Sequence, residues 1–331
     1  MERHVKILGT GKYLPGKRVS ARDMDERLGV PAGWTRAKTG VLSRYYADGE
    51  TASGMGARAG RAALDKAGLA FKDIDCIICA SATAEQEIPC TAVFVQHELG
   101  GGDSGIPAFD VNASCLSFVT ALDIVSYMIE AGRFERVLIV SSDISSVALD
   151  AKDKESCSIF GDGAAAVVVG RTPAGEKAGI VGSRMETYSR GARFSELRTG
   201  GSRAHCRRYS PETRSDFNFH MDGRKLYKMS ARVVPDLLAA LLTSIQGRIG
   251  DLDMVIPHQA SLPAMTLMQK HLGIADGKFM HIIQDCGNTV AASIPMALHE
   301  AIAQHKISRG DRIMLLGVAA GLSAGAMILD Y

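Results

Sequence analysis

The chain lacks any apolar run approaching the length needed to cross a bilayer, and its start, Met1-Glu2-Arg3-His4-Val5-Lys6, carries no long apolar region after the charges. A soluble, unprocessed protein without a membrane partner is expected. A charge excess is missing too: 38 Lys and Arg against 36 Asp and Glu leave +2 over 331 residues. Whole-chain electrostatics therefore do not point to nucleic acid, and any anionic partner has to be met by a local patch. The seven cysteines (76, 79, 90, 115, 157, 206 and 286) show no paired spacing. An odd number scattered through apolar stretches argues against a disulfide framework and fits a reducing cytoplasm. Cys76 and Cys79 read as C-x-x-C, yet they lie in an apolar strand, where residues three apart face opposite sides; core packing is expected there. Neither a P-loop nor the dinucleotide fingerprint is present, since Gly9-Thr10-Gly11 runs into Lys12-Tyr13-Leu14. No metal or redox cofactor is implied.

What is present is a sequence with 46% hydrophobic and 22% charged residues, ordinary for a globular protein and long enough for two packed halves. The halves resemble each other. Ile74 to Ala82 resembles Leu252 to Ala260, and Arg136 to Val140 answers Arg312 to Leu316. Gly161 to Val169 is matched by Gly321 to Leu329. Short apolar strands ending in polar junctions are expected at Phe109 to Cys115 and at His281 to Asn288. This reads as a duplicated βαβαββ unit, divided into residues 1–170, carrying a cysteine junction, and 171–331, carrying His and Asn junctions. Continuous Val/Ile/Leu strands alternating with helices imply an α/β fold of mostly parallel sheets buried on both faces, layered α-β-α-β-α. The stretch from about Arg184 to Asn218 breaks the alternation and is expected to be a loop excursion.

Three strand-end junctions carry chemistry, the usual place for sites in α/β folds. Asp110-Val111-Asn112-Ala113-Ser114-Cys115 places a thiol at a helix start, where N–H groups and the helix dipole favour the nucleophilic thiolate. Pro257-His258-Gln259-Ala260 supplies an imidazole, and Gly287-Asn288-Thr289 a carboxamide. Cys115 and Asn288 are expected to hold corresponding positions in the two halves and so to meet at a shared centre. His258 arrives from the preceding strand of the second half.

Together with Gly9-Thr10-Gly11-Lys12-Tyr13-Leu14-Pro15, Trp34, Thr39-Gly40 and Phe160-Gly161-Asp162-Gly163-Ala164, these motifs resemble, in order and over nearly the whole chain, the thiolase-fold condensing enzymes of the β-ketoacyl-acyl-carrier-protein synthase III branch. The resemblance implies a Cys115-His258-Asn288 site that takes an acyl group from an acyl thioester. It then condenses that group with malonyl-acyl-carrier protein or malonyl-coenzyme A, with loss of carbon dioxide, to give a β-ketoacyl thioester. A thiolate suits this chemistry because the acyl-enzyme is itself a thioester. His258 and Asn288 can donate to the enolate oxygen. The resemblance assigns the acyl oxyanion hole to the N–H groups of Cys115 and Ala320, and coenzyme A contacts to Trp34, Lys154 and Arg224. It also implies a homodimer in which the loop Glu85-Gln86-Glu87-Ile88 helps to close the partner's acyl tunnel.

Several positions depart from that pattern. Lys154 replaces an arginine, Pro263 an arginine that meets the carrier protein, and Ala319-Ala320-Gly321 three glycines, so a strained positive φ is expected there. Glu85 or Glu87 is either a solvated loop charge or a base for a head-to-head condensing enzyme of secondary metabolism. An acyltransferase on the same fold is a further alternative, as is a noncatalytic subunit, which should lack the nucleophile.

Overall fold

A computed structural model describes residues 2–331. The first half opens with β1 (Val5–Tyr13) and a small ribbon, β2 (Lys17–Ser20) with β3 (Ser43–Tyr46), enclosing helices α1 (Ala21–Leu28) and α2 (Trp34–Thr39). Helix α3 (Ala52–Ala67) then lies directly on β1. Gly9 and Gly11 permit this approach, since a Cβ at either would fall 2.3 Å from the carbonyl oxygen of Ala63 or Ala59. The half is completed by β4 (Cys76–Cys79), α4 (Thr91–Glu98), β5 (Ala108–Asp110), α5 (Ser117–Glu130), β6 (Arg136–Asp143), α6 (Lys154–Ile159) and β7 (Gly163–Arg171). Its sheet has the order β1-β7-β6-β4-β5.

The second half contains β8 (Gly179–Thr187), a ribbon of β9 (Ser195–Leu197) and β10 (Phe219–Met221), and the long helix α7 (Gly223–Ser244). There follow β11 (Met254–Pro257), α8 (Leu262–His271), α9 (Ile283–Cys286), α10 (Ser293–Ala303), β12 (Arg312–Ala319) and β13 (Ser323–Asp330). The order β11-β12-β13-β8 repeats β4-β6-β7-β1 strand for strand. Two expectations need correction. Each sheet is mixed rather than mostly parallel, because β13 is antiparallel to both neighbours, as β7 is to its own. The strand expected at His281 to Asn288 is instead α9 flanked by single bridges, Phe279 beside Val255 before it and Asn288 beside Phe160 after it.

The sheets sandwich α5 and α10, whose apolar faces share one core with the inner strand faces, Ile78, Val137, Ile139 and Leu315 among them. Helices α3 and α4 cover the outer face of the first sheet, and α7 and α8 that of the second. The α-β-α-β-α layering follows.

The register of the duplication is set by matched turns. Asn112 Oδ1 accepts the Ser114 N–H at 2.9 Å, and Asn288 Oδ1 accepts the Val290 N–H at 2.9 Å. Ser114 and Val290 both stand at φ 54°, and α5 and α10 begin three residues later. Asn288 therefore corresponds to Asn112, and Cys115 to Ala291. Cys115 and Asn288 still share a centre, but as non-equivalent positions of the repeat.

Candidate active site

Cys115 occupies the bend between β5 and α5. The Ser117 hydroxyl fixes the bend, accepting the Ala113 N–H at 2.9 Å and donating to the Ser114 carbonyl at 2.6 Å. Ser114 at φ 54° is in a region non-glycine residues seldom enter, a strain of about 1–3 kcal/mol. Burial first, then the Asp143 carboxylate, push the Cys115 thiol up to about 12, while the N–H groups of Cys115 and Ala320 pull it down without offsetting them. Loss of water and the Asp143 carboxylate thus work against the thiolate expected at this helix start. The two amides that act on the sulfur are those the resemblance assigned to the oxyanion hole. Ala320 bears no positive φ; that conformation falls on Gly321, at φ 141°, so the expected strain is absent.

His258 follows β11 and is 8% exposed. Its Nδ1 lies 2.6 Å from the Ser293 hydroxyl, which also accepts the Gln259 N–H at 3.4 Å. Among the described residues, the only acceptor that the buried Ser293 hydroxyl reaches is Nδ1, so the network assigns the hydrogen on the imidazole to Nε2. Burial lowers His258 to about 4, which keeps it neutral at physiological pH. Gln259 anchors this junction from below, donating to the Pro257 and Met280 carbonyls and accepting from the Ile282 and Ile283 amides.

Asn288, 5% exposed, has its Oδ1 committed to Val290, which orients Nδ2 as the donor; Nδ2 reaches only the Ala260 carbonyl, at 3.5 Å. Cys115, His258, Asn288 and Ala320 line one cavity of about 490 Å³. It therefore presents a thiol, two amides aimed at that thiol, and two neutral N–H donors. A nucleophile, a hole for its tetrahedral intermediate and a separate pair of donors for a second oxyanion are the parts a Claisen condensation requires.

Comparison with known proteins agrees with this geometry. Residues 109–189 match the family described as 3-oxoacyl-[acyl-carrier-protein] synthase III, and residues 242–331 its C-terminal family. A β-ketoacyl-[acyl-carrier-protein] synthase III from Neisseria meningitidis serogroup C is 36% identical over 330 residues, 99% of this chain and 100% of that protein. The Aquifex aeolicus synthase III is 35% identical over 326 residues, 98% and 99% of the two chains. A crystal structure of the Aquifex aeolicus VF5 protein aligns with a TM-score of 0.88 over 99% of this chain and 100% of that one, at 34% identity.

The chain belongs to the β-ketoacyl-acyl-carrier-protein synthase III family.

It is accordingly a carbon–carbon bond-forming acyltransferase on the thiolase-like fold. Relative to the synthase III pattern, Lys154 and Arg224 lie in the first turns of α6 and α7, one residue from Glu155 and Gly223, which line the cavity. Trp34 starts α2, is partly buried, and packs with Met24, Tyr46 and Cys157, so at least one of its faces serves the core. Pro263 sits in the first turn of α8 beside the Ser261 cap, where a missing N–H costs nothing. Glu85, Glu87 and Ile88 do not line the cavity. Glu85 accepts the Ser53 N–H at 2.7 Å, closing the N-terminus of α3. Glu87 is exposed, and Ile88 is 83% exposed at the loop tip. In the 184–218 excursion, Arg193, Arg198 and Arg203 are drawn onto Glu196, and β9 and β10 contribute Leu197, Phe219 and Met221 to the cavity wall.

Two site residues escaped the sequence reading. Asp143 ends β6 fully buried, its Oδ1 accepting from the Ala82 and Thr83 amides and the Thr83 hydroxyl and its Oδ2 from the Ala291 amide. Ser293 sets the His258 tautomer. Ser293→Ala is expected to lower condensation about five- to tenfold, the worth of about 1–1.5 kcal/mol for one hydrogen bond. Acylation of Cys115 should remain, and equal losses in both half-reactions would refute this role.

Proposed function

We propose that Cys115 takes an acyl group from a coenzyme A or carrier-protein thioester and that malonyl-acyl-carrier protein then condenses with it. In the first half-reaction the Cys115 sulfur bonds to the acyl carbon, and the departing thiol leaves with the Cys115 proton. In the second, the malonyl C–C bond to its carboxylate breaks, carbon dioxide leaves, and the electron pair becomes an enolate. His258 Nε2–H and Asn288 Nδ2–H hold the enolate oxygen. The enolate carbon attacks the acyl carbon, whose oxygen is held by the Cys115 and Ala320 amides, and Cys115 is expelled and reprotonated. Both substrates arrive activated as thioesters, so no metal or redox cofactor takes part. The single observation that carries this reading is the convergence of the thiol and the two sets of donors on one cavity.

The setting is a cytoplasmic homodimer, with the apolar Ile88 tip seated on the partner near its cavity. Lys154, Arg224 and Trp34 meet the nucleotide end of coenzyme A. The test is to incubate the protein with acyl-coenzyme A thioesters, read the intact mass and modified peptide, and then add malonyl-acyl-carrier protein. Acyl groups should appear on Cys115 alone and leave as β-ketoacyl product, and Cys115→Ala should take up none. Absence of any acylation would overturn the assignment.

A further inference from the structure

Trp34 is the only tryptophan in the chain, and the backbone on both sides of it is held by one buried carboxylate. Asp25, in α1 and 3% exposed, accepts the Gly33 N–H on Oδ2 at 2.7 Å and the Thr35 N–H on Oδ1 at 2.8 Å. The Trp34 N–H between them goes to the Pro31 carbonyl at 3.0 Å. Three consecutive amides are therefore fixed, two of them by an ionised acceptor, whose hydrogen bonds are the stronger kind. Burial by itself raises the Asp25 carboxyl, yet Thr35, Gly33 and the charge of the wholly buried Arg44 together hold it below the usual carboxylate value, so it stays ionised.

The helix that supplies this carboxylate also supports the indole. The residues that α1 buries are Met24, Asp25 and Leu28, and Met24 and Leu28 belong to the cluster on which Trp34 packs. Helix α1 is itself pinned at both ends, by the Ser20 and Asp23 capping box and by Gly29 at φ 59°. Leu149 packs on the same cluster and also lines the cavity, which joins the Trp34 platform to the active-site wall. A ring that stacks on a base gains from being held before the base arrives, because its ordering is then completed by folding and not by binding.

We propose that Asp25 is a positioning residue for the nucleotide end of the coenzyme A thioester: it lies beneath the surface, touches no substrate, and acts by holding Trp34 in the orientation that stacks on the base. The inference rests on the reading above that Trp34 meets the nucleotide, but fails separately from it.

The test follows Cys115 acylation by intact mass with one acyl group presented in two forms, as the coenzyme A thioester and as the pantetheine thioester, which lacks the nucleotide. In Asp25→Asn one oxygen becomes an amide nitrogen facing an N–H, so one of the two bonds is lost. KM for the coenzyme A thioester is expected to rise about fivefold to tenfold with kcat little changed, the worth of one hydrogen bond. Both constants for the pantetheine thioester should stay as they are, which also reports an intact fold. Emission from Trp34, free of any other tryptophan, gives a second readout: coenzyme A should quench it, and the half-quenching concentration should rise by the same factor in Asp25→Asn. Gly33→Ala perturbs the same turn more mildly, since its Cβ would meet nothing within 4 Å and only the φ of 85° opposes it; it should move the coenzyme A KM in the same direction, and it decides the matter if Asp25→Asn does not fold. In a Trp34→Ala background, Asp25→Asn should add nothing further to that KM. A rise shared equally by both thioesters, additive losses in the double variant, or a coenzyme A KM indifferent to both Asp25→Asn and Gly33→Ala overturns the proposal and leaves Asp25 a structural acceptor only. A Trp34→Ala variant that keeps the full preference for the coenzyme A thioester overturns the parent reading instead.

Discussion

Replacing His258 or Asn288 with alanine is expected to lower condensation by about 10²- to 10³-fold each, the usual loss for one oxyanion donor, while leaving acylation of Cys115 close to unchanged. The division follows from the proposed mechanism. The amides that act on the Cys115 sulfur are those of Cys115 and Ala320, which the proposal makes the acyl hole, and it gives the His258 and Asn288 donors to the enolate, which exists only in the second half-reaction. Asn288→Asp is the sharper variant: its carboxylate cannot donate when ionised and would oppose the enolate charge, so it should fall at least as far as Asn288→Ala. Because both groups address one oxygen, the double variant should lose less than the product of the single losses. Intact-mass kinetics of Cys115 acylation, beside release of carbon dioxide and β-ketoacyl product from malonyl-acyl-carrier protein, separate the two halves. Loss of acylation in His258→Ala would sink the division and make His258 the base that activates the thiol.

The strand-end rule located Cys115, His258 and Asn288 because each interrupts an apolar run with a polar side chain, a pattern visible in one dimension. The same rule could have found Asp143, since Ser141-Ser142-Asp143 closes β6 just as the other junctions close their segments. Ser293 carried no comparable signal, being a helix-start serine whose partner lies 35 positions away. The misregister of the repeat also has a physical source. Strand β5 has only a bridge as its counterpart, so similarity of apolar runs could slide, whereas the Asn112 and Asn288 turns that fix the register depend on φ. The layering survived this error because it rests on the order of strands. Burial decided what remained: whether Cys115 rests as thiol or thiolate depends on desolvation and on Asp143, which reaches the site only after the chain has folded.

Asp143 yields the second large effect. Asp143→Ala should destabilise the protein by about 1–3 kcal/mol, because it leaves the buried Ala291 amide without its acceptor and takes the same acceptor from the part-buried Ala82 and Thr83 amides. Asp143→Asn keeps the shape but offers one acceptor oxygen where two are used, and should cost an intermediate amount. The charge leaves its own signature. Burial raises Asp143 from 3.8 to about 6 in spite of its four hydrogen bonds. A carboxyl raised on folding favours the folded state when protonated, so its contribution is present below pH 3.8 and is lost as pH rises to about 6. His258, lowered from 6.5 to about 4, acts in the opposite sense: its contribution is present above pH 6.5 and is lost as pH falls to about 4. Each is worth about 3 kcal/mol at about 1.36 kcal/mol per unit, so across this window they nearly cancel. Denaturant midpoints should therefore vary little from these groups between pH 7 and 4.5 in the unmodified protein. In Asp143→Asn they should fall with pH, because of this pair only His258 is left to titrate. The same variant removes the carboxylate that helps to hold the Cys115 thiol up, so alkylation of Cys115 at fixed pH should become faster as the protein becomes less stable. A variant that loses stability without any gain in thiol reactivity would show that Asp143 acts on this site only as a structural acceptor.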